Sequence, residues 1–458
     1  MEEQLDSLKD IIYDYLENND LYYNDIQDFK KIIIENMEFI YSKLNYKLID
    51  NNFLKLINFK LEYNFNEKCK NLFNKDYIQI PTEYIDLVNH VKYIAELPQP
   101  EQRTQEWFDM RKNMITASCA AQVIGENPYP NQGPDEFILD KLNLGPPFID
   151  NRFVHHGKKY EEIATKIYEN IFNIKVDEYG LVPHISRPRI PFIGASPDGI
   201  ASHFDLENNF SDMVGRMLEI KCPLTRKIKT SGKVDGEICP HYYYCQVQQQ
   251  LECCDLEYCD FWQCSLQEFY SKDELLEDET KSNYKEEQDK QLNVPINCRM
   301  GYIIQLLPKN KITKFCLFDA KYIYPEDVNK SILEYDLWLL DEITNLHRKY
   351  PDLMKNYVFD RVLYWKLNVC HNVKIQRNRD WFKEKYPMYK ELWERIILYR
   401  SNKKELNKFI TNYNKNKKNK VVVEDNESKF IDTESDNEES VDDKPDKSKL
   451  FVDSDESV

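Results

Sequence analysis

RMLEIKCPLT, residues 216–225, has the apolar alternation of a β-strand, yet it carries an acid and a lysine two positions apart. Side chains in a strand alternate between its faces. Met217, Glu219 and Lys221 therefore share one face, and Leu218, Ile220 and Cys222 share the other. The second set reads as core. The first sets a carboxylate and an ammonium about 7 Å apart along the strand. On its own, such a pair reads first as an ion pair on the solvated face of an edge strand. A proline after Cys222 ends the strand beside it.

Upstream lies FIGASPDGIAS, residues 192–202, with Asp198 in a Ser-Pro-Asp-Gly turn after an apolar strand. A strand, a turn aspartate, about twenty residues and a returning strand with Glu-x-Lys make a hairpin-like unit that brings Asp198 beside Glu219. Two carboxylates meeting there repel unless a cation lies between them. Oxygen-only ligands suit Mg2+ or Mn2+. Lys221 would then adjoin the metal and orient the water that attacks phosphorus. A third carboxylate comes from HGKKYEEIATKIYENIF, residues 156–172. At helical spacing Ile163, Ala164, Ile167, Tyr168, Ile171 and Phe172 form its buried stripe. Glu161 falls at the edge of that stripe, whereas Glu162 falls with Lys166 and Glu169 on the wet face. A carboxylate turned toward the core needs a partner, so Glu161 is the ligand candidate.

Around these motifs the pattern alternates. Helices are expected at TQEWFDMRKN from Thr104, after ITAS up to Gly125, at PDEFILDKLN, over 156–172 and at HYYYCQVQQQLECC. Strands are expected at GLVPHIS, PFIGAS, RMLEIKCP, YCDFWQCS, GYIIQLLP and TKFCLFDAKYIYP. Mixed order of this kind argues for an α/β or α+β domain with a central sheet. The expected organisation is a helical N-terminal module over 1–92 and a mixed-sheet domain over 93–330 with a charged insertion at about 266–297. A mainly helical C-terminal region over 331–413 and a disordered acidic tail over 414–458 follow. In that tail Ser435 has the acidic surroundings of a phosphorylation site.

Taken together, WFDMRKNMITAS, HGKKYEEIA, ASPDGI, LEIKCP and YYYCQVQQQL, in that order over residues 102–264, resemble the PD-(D/E)xK nuclease superfamily. More narrowly they resemble the lambda exonuclease and YqaJ-type viral recombinase family. The resemblance implies a restriction-endonuclease-like mixed sheet flanked by helices. It implies a metal site of Glu161, Asp198, Glu219 and the Ile220 carbonyl for one or two Mg2+ or Mn2+ ions, with Lys221 on the water. Gln246 would lie near the scissile phosphate, although Gln250 shares its helix face and could be the one that points inward. Arg111 and Ser118 would hold a terminal 5′-phosphate, a task that suits the forked donors of a guanidinium, and Ser196 would touch the phosphate as well. A surface ion pair with Glu106 or Asp109 is the plainer reading of Arg111. The implied activity is a 5′-to-3′ exonuclease on double-stranded DNA ends, producing 3′ single strands for recombination and repair. A structure-specific endonuclease of the same superfamily and a catalytically silent DNA-binding protein are the alternatives. A single-strand annealing protein and a homo-oligomer are the implied assemblies.

Composition sets the bounds. The 458 residues allow two to four domains at roughly 100–200 residues each. No apolar run approaches the ~18 residues of a membrane span, and the acidic start MEEQLDSLKD is no signal peptide. The expectation is a soluble, intracellular protein without a membrane partner, placed in the host cytoplasm if viral. The net charge of −17 is concentrated after position 421, and seven lysines crowd residues 401–420, so a polyanionic ligand is not excluded. Twelve cysteines, many beside apolar residues, read as reduced thiols. Cys253, Cys254, Cys259 and Cys264 lack the paired spacing of a zinc site.

Overall fold

The structure, a computed structural model, describes residues 80–100, 104–146, 151–281, 294, 296–311 and 317–431. The chain begins there with α1 (Ile85–Glu96), α2 (Gln105–Lys112), β1 (Ile115–Thr116), α3 (Ala120–Val123), α4 (Pro134–Lys141) and α5 (Arg152–Phe172). Short strands follow: β2 (Val176–Asp177), β3 (Val182–Pro183), β4 (Ile193–Ala195), β5 (Gly199–Ala201) and β6 (Met217–Lys221). Then come α6 (His241–Cys254), β7 (Tyr258–Phe269), α7 (Lys272–Lys281), β8 (Met300–Pro308), β9 (Lys321–Ile323) and α8 (Ile332–Lys349). The last elements are α9 (Leu353–Asn356), β10 (Tyr357–Gln376), α10 (Arg379–Ser401) and α11 (Lys403–Ile431).

Among the described residues the main sheet has the order β2-β5-β6-β7-β10-β8-β9, and a small one has the order β1-β4-β3. In the main sheet β6 and β7 run parallel and the other pairs are antiparallel. The parallel step needs a crossover, and α6 supplies it. The fold is thus the mixed α/β sheet flanked by helices that the alternation of patterns implied. Both faces of β6 are covered. Met217 joins one core cluster with Phe261 and residues of α1, α3, α4, α6 and α10. Leu218, Ile220 and Cys222 join another with Trp262 and the apolar stripe of α5. Glu219 and Lys221 are therefore buried in an inner strand, at 0% and 3% exposure, not on a solvated edge.

Local sequence explains the helices beside the site. Thr104 caps α2 by accepting from Trp107 N. Asn151 caps α5 by accepting from Phe153 N and Val154 N, and Asn173 ends it in the left-handed region. On α5, Ile163, Ala164, Ile167 and Tyr168 are buried as expected, with Ile171 and Phe172 packed against them. Gly125, at φ +74°, closes α3.

Several boundaries differ from the sequence reading. Residues 1–79 of the N-terminal module lie outside the described residues, and so does the acidic tail after 431. Val88, Val91 and Ile94 of α1 pack in the same core as α6, so the sheet-bearing part begins before the expected boundary at 92. The expected insertion at 266–297 begins inside β7, which continues to Phe269 because Leu266 and Phe269 keep facing core. The C-terminal region adds a long strand to its helices, so the sheet runs past the expected boundary at 330: twenty-residue β10 lies in the middle of the main sheet, between β7 and β8. Its interleaved charges hid its period, and pairing along both edges overrides the local signal. Helix α11 crosses position 414, where Asn and Lys replace the apolar residues but neither Gly nor Pro interrupts. The described cysteines are free thiols, and Cys253, Cys254 and Cys259 pack in a different core cluster from Cys264. Among the described residues no helix is long and apolar enough to cross a membrane.

Candidate active site

The expected hairpin forms, but with the strand after Asp198. β5 pairs antiparallel with β6, matching Gly199 to Leu218, while the preceding β4 belongs to the small sheet. Gly199 is required because a Cβ there would meet Val176 Cγ1 of β2 at 2.2 Å. This close packing sets Asp198 at the mouth of β6, where its Oδ2 accepts from Ile220 N at 2.6 Å. Lys221 Nζ lies 2.8 Å from Glu219 Oε1. Gln250 Nε2, from α6, donates to Glu219 Oε2 at 2.6 Å and to the Ser196 carbonyl at 3.4 Å. The Lys221 ammonium also lies over the Tyr243 ring, 4.5 Å from its centroid.

The electrostatics are those of crowded acids. Burial pushes the Asp198 carboxyl well above its ordinary range. The charges of Glu219 and Glu161 push it further, against Lys221 and the Ile220 N–H, which pull it down. Glu161, half-buried on α5, thus belongs to the same electrostatic group, while Glu162 pairs with Lys166 at 2.9 Å. Residues present suit a hard cation: three carboxylates and the Ile220 carbonyl are all oxygen donors. The buried Gln250 Oε1 beside them has no hydrogen-bond partner. The acids are not drawn together into a closed cage. Among the described residues, three His, Cys, Asp or Glu ligand atoms within 4.8 Å of one another occur at Glu126, His241 and Cys245 instead. Protein donors engage Asp198 and Glu219.

Two of the phosphate candidates, Arg111 and Ser196, are linked through one side chain. The Arg111 guanidinium stacks on Trp107, 4.3 Å from the ring centroid, and Trp107 Nε1 donates to Ser196 Oγ at 3.4 Å. Asp109 is taken by Lys112 at 3.3 Å. Ser118 Oγ lies 3.4 Å from Thr116 Oγ1. Lys141 of α4 donates to the Arg111 carbonyl at 2.6 Å. Burial lowers that ammonium to about 8, with Arg111 and Arg400 adding to the effect and Cys119 opposing it.

Both glutamines considered on α6 are buried, and Gln250 is the one that touches Glu219. On a helix the two share a face, and only the approach of α6 to β6 decides which one reaches the acid. Of the basic residues beside the site, Lys159 is consumed by Glu268, and Arg226 turns inward to Gln263 Oε1 at 2.9 Å. Trp107, Lys141 and Tyr243 went unread because each looks like ordinary helix packing; the aromatic spacing of Trp107 and Arg111, four apart on α2, was the available signal.

A mixed sheet with an aspartate at the mouth of one strand and Glu-x-Lys on its neighbour defines the class: a PD-(D/E)xK nuclease-type fold. Residues 106–257 match the family described as the YqaJ-like viral recombinase domain. All the site residues named above from the motifs fall inside the match. An uncharacterized protein of Acanthamoeba polyphaga mimivirus is 39% identical over 335 residues, covering 72% of this chain and 58% of that protein. A protein of African swine fever virus is 25% identical over 169 residues, covering 33% of this chain and 46% of its own. The chain thus spans about half the length of these relatives. Two structures of LHK-Exo also match. The complex with dAMP is 24% identical at a TM-score of 0.27, and the alkaline exonuclease from Laribacter hongkongensis is 23% identical at 0.28. Each match covers 55% of this chain and 100% of the other.

Proposed function

We propose that this chain is a divalent-metal-dependent deoxyribonuclease that digests duplex DNA from its 5′ ends and leaves 3′ single strands for recombination and repair. One observation carries the reading: Asp198 is hydrogen-bonded to the strand whose inward face holds the buried Glu219–Lys221 pair. So costly a group of buried charges, in a domain of recombinase type, points to chemistry and not to packing. Asp198, Glu219, Glu161 and the Ile220 carbonyl would hold one or two Mg2+ or Mn2+ ions, which supply Lewis acidity and charge at the phosphate. Lys221 aims its ammonium at the attacking water, with Glu219 and the Tyr243 face fixing its direction. Gln250 holds Glu219 in line, with Gln246 one turn earlier on α6. Arg111, braced by Trp107, takes a terminal 5′-phosphate, with Ser118 and Ser196 as hydroxyl donors. Partners on this reading are double-stranded DNA ends, a single-strand annealing protein and further copies of the chain.

The test is digestion of linear duplex labelled at either end, with Mg2+ and with EDTA, wild type beside Glu219→Ala. Loss of the 5′-terminated strand with Mg2+ alone, absent in the variant, is expected. Equal digestion by Glu219→Ala, or cleavage of covalently closed circles as fast as of linear DNA, overturns the proposal.

A further inference from the structure

A second constellation of metal-binding donors lies at the other end of the catalytic helix. His241 opens α6, and Cys245 follows four residues later on the same face. Glu126 comes from the turn that ends α3. Its Oε2 lies 2.9 Å from His241 Nε2, and Cys245 Sγ lies 3.5 Å from the same nitrogen. All three ligand atoms fall within 4.8 Å of one another. Tetrahedral bonds of about 2.0–2.3 Å set donor atoms roughly 3.3–3.8 Å apart, so the cluster is close to that size already.

We propose that Glu126, His241 and Cys245 bind a borderline divalent ion of the Zn2+ class, at a site separate from the oxygen-only acids around Asp198. The donor set decides the class. A sulfur and an imidazole nitrogen with one carboxylate suit Zn2+ and disfavour Mg2+. Asp235 supplies the outer support: its Oδ1 lies 2.7 Å from His241 Nδ1, which fixes the ring with Nε2 turned into the cluster. Lys385, from α10, already sets an ammonium 2.8 Å from Glu126 Oε1. A resident cation thus occupies one side of the site and is the group an ion displaces. The ion pairs account for Glu126, Asp235 and Lys385 but give no role to the sulfur. Entry is open: the His241 and Glu126 side chains are 39% and 32% exposed, above a buried Cys245. Bound there, an ion ties the α3 turn to the first turns of α6, the helix that carries Gln246 and Gln250.

The experiment is titration of the full-length, metal-stripped protein with Co2+, read by the sulfur-to-cobalt charge-transfer band in the near ultraviolet. Co2+ on the Asp198 acids produces no such band, so the result is independent of nuclease activity. One equivalent with the band is expected, and its loss in Cys245→Ser and His241→Ala. Asp235→Asn should weaken Co2+ binding by about 10–100-fold, as loss of an outer partner does. Lys385→Met, which removes a competitor and leaves every ligand in place, should tighten it. No band in the wild type, a band surviving Cys245→Ser, or binding weakened by Lys385→Met overturns the inference.

Discussion

Lys221→Met tests the buried pair most directly. Lys221 and Glu219 are 3% and 0% exposed and 2.8 Å apart. Unit charges at that distance attract by ~6 kcal/mol at an effective dielectric of ~20. Their desolvation offsets much of this, and removing one partner of a buried pair costs about 3–5 kcal/mol. The cost here falls in that range, because the variant leaves Glu219 buried with Gln250 and facing the Asp198 and Glu161 acids. A chain of this size shifts by about 1 °C per kcal/mol, so in EDTA the variant should melt roughly 3–5 °C below wild type. Glu219→Gln added to Lys221→Met removes both charges and should restore most of the loss. Mg2+ should stabilise the single variant more than wild type, since it replaces the missing positive charge. Cleavage of end-labelled duplex should fall by about 100-fold or more while DNA binding persists. The measurements are circular-dichroism melts with EDTA and with Mg2+, beside the digestion assay. A single variant that melts with wild type in EDTA refutes the charge compensation. Unchanged cleavage refutes the role of Lys221 at the water.

Arg111→Ala should slow digestion of 5′-phosphorylated ends more than that of 5′-hydroxyl ends; equal loss on both ends the clamp reading. Gln250→Leu should reduce turnover more than Gln246→Leu, because Gln250 alone is bonded to Glu219; the reverse order in single-turnover assays would return the role to Gln246. Burial lowers His156 from its ordinary value to about 4, with Lys159 nearby adding to the effect. Its folded value lies below its unfolded one, so the unfolded chain takes up the proton first and stability is lost as pH falls from about 6.5 toward 4. Down to pH 5 the loss is about 2 kcal/mol. His156→Phe should flatten that slope in urea titrations at pH 7 and pH 5; an unchanged slope would place the titration elsewhere.

The chain by itself determined the ingredients of the site. A period of two with an acid and a lysine on one parity, a Ser-Pro-Asp-Gly turn and a helix with Glu161 at the edge of its stripe are local patterns. Each follows from backbone geometry within a few residues. Caps at Thr104 and Asn151 are of the same kind, and the side-chain bonds form as their chemistry requires.

What the tertiary structure decided was everything that depends on who faces whom. β10 entered the middle of the sheet although its own sequence hides the strand, because both of its edges are paired by distant segments. Burial on both sides turned the Glu219–Lys221 pair from a surface pair into a costly inner one. The approach of α6 put Gln250 against Glu219, and brought His241 to Glu126 from 115 residues away, with Cys245 beside it. No local pattern encodes such distances, because the free energy that sets them comes from packing the sheet against its helices.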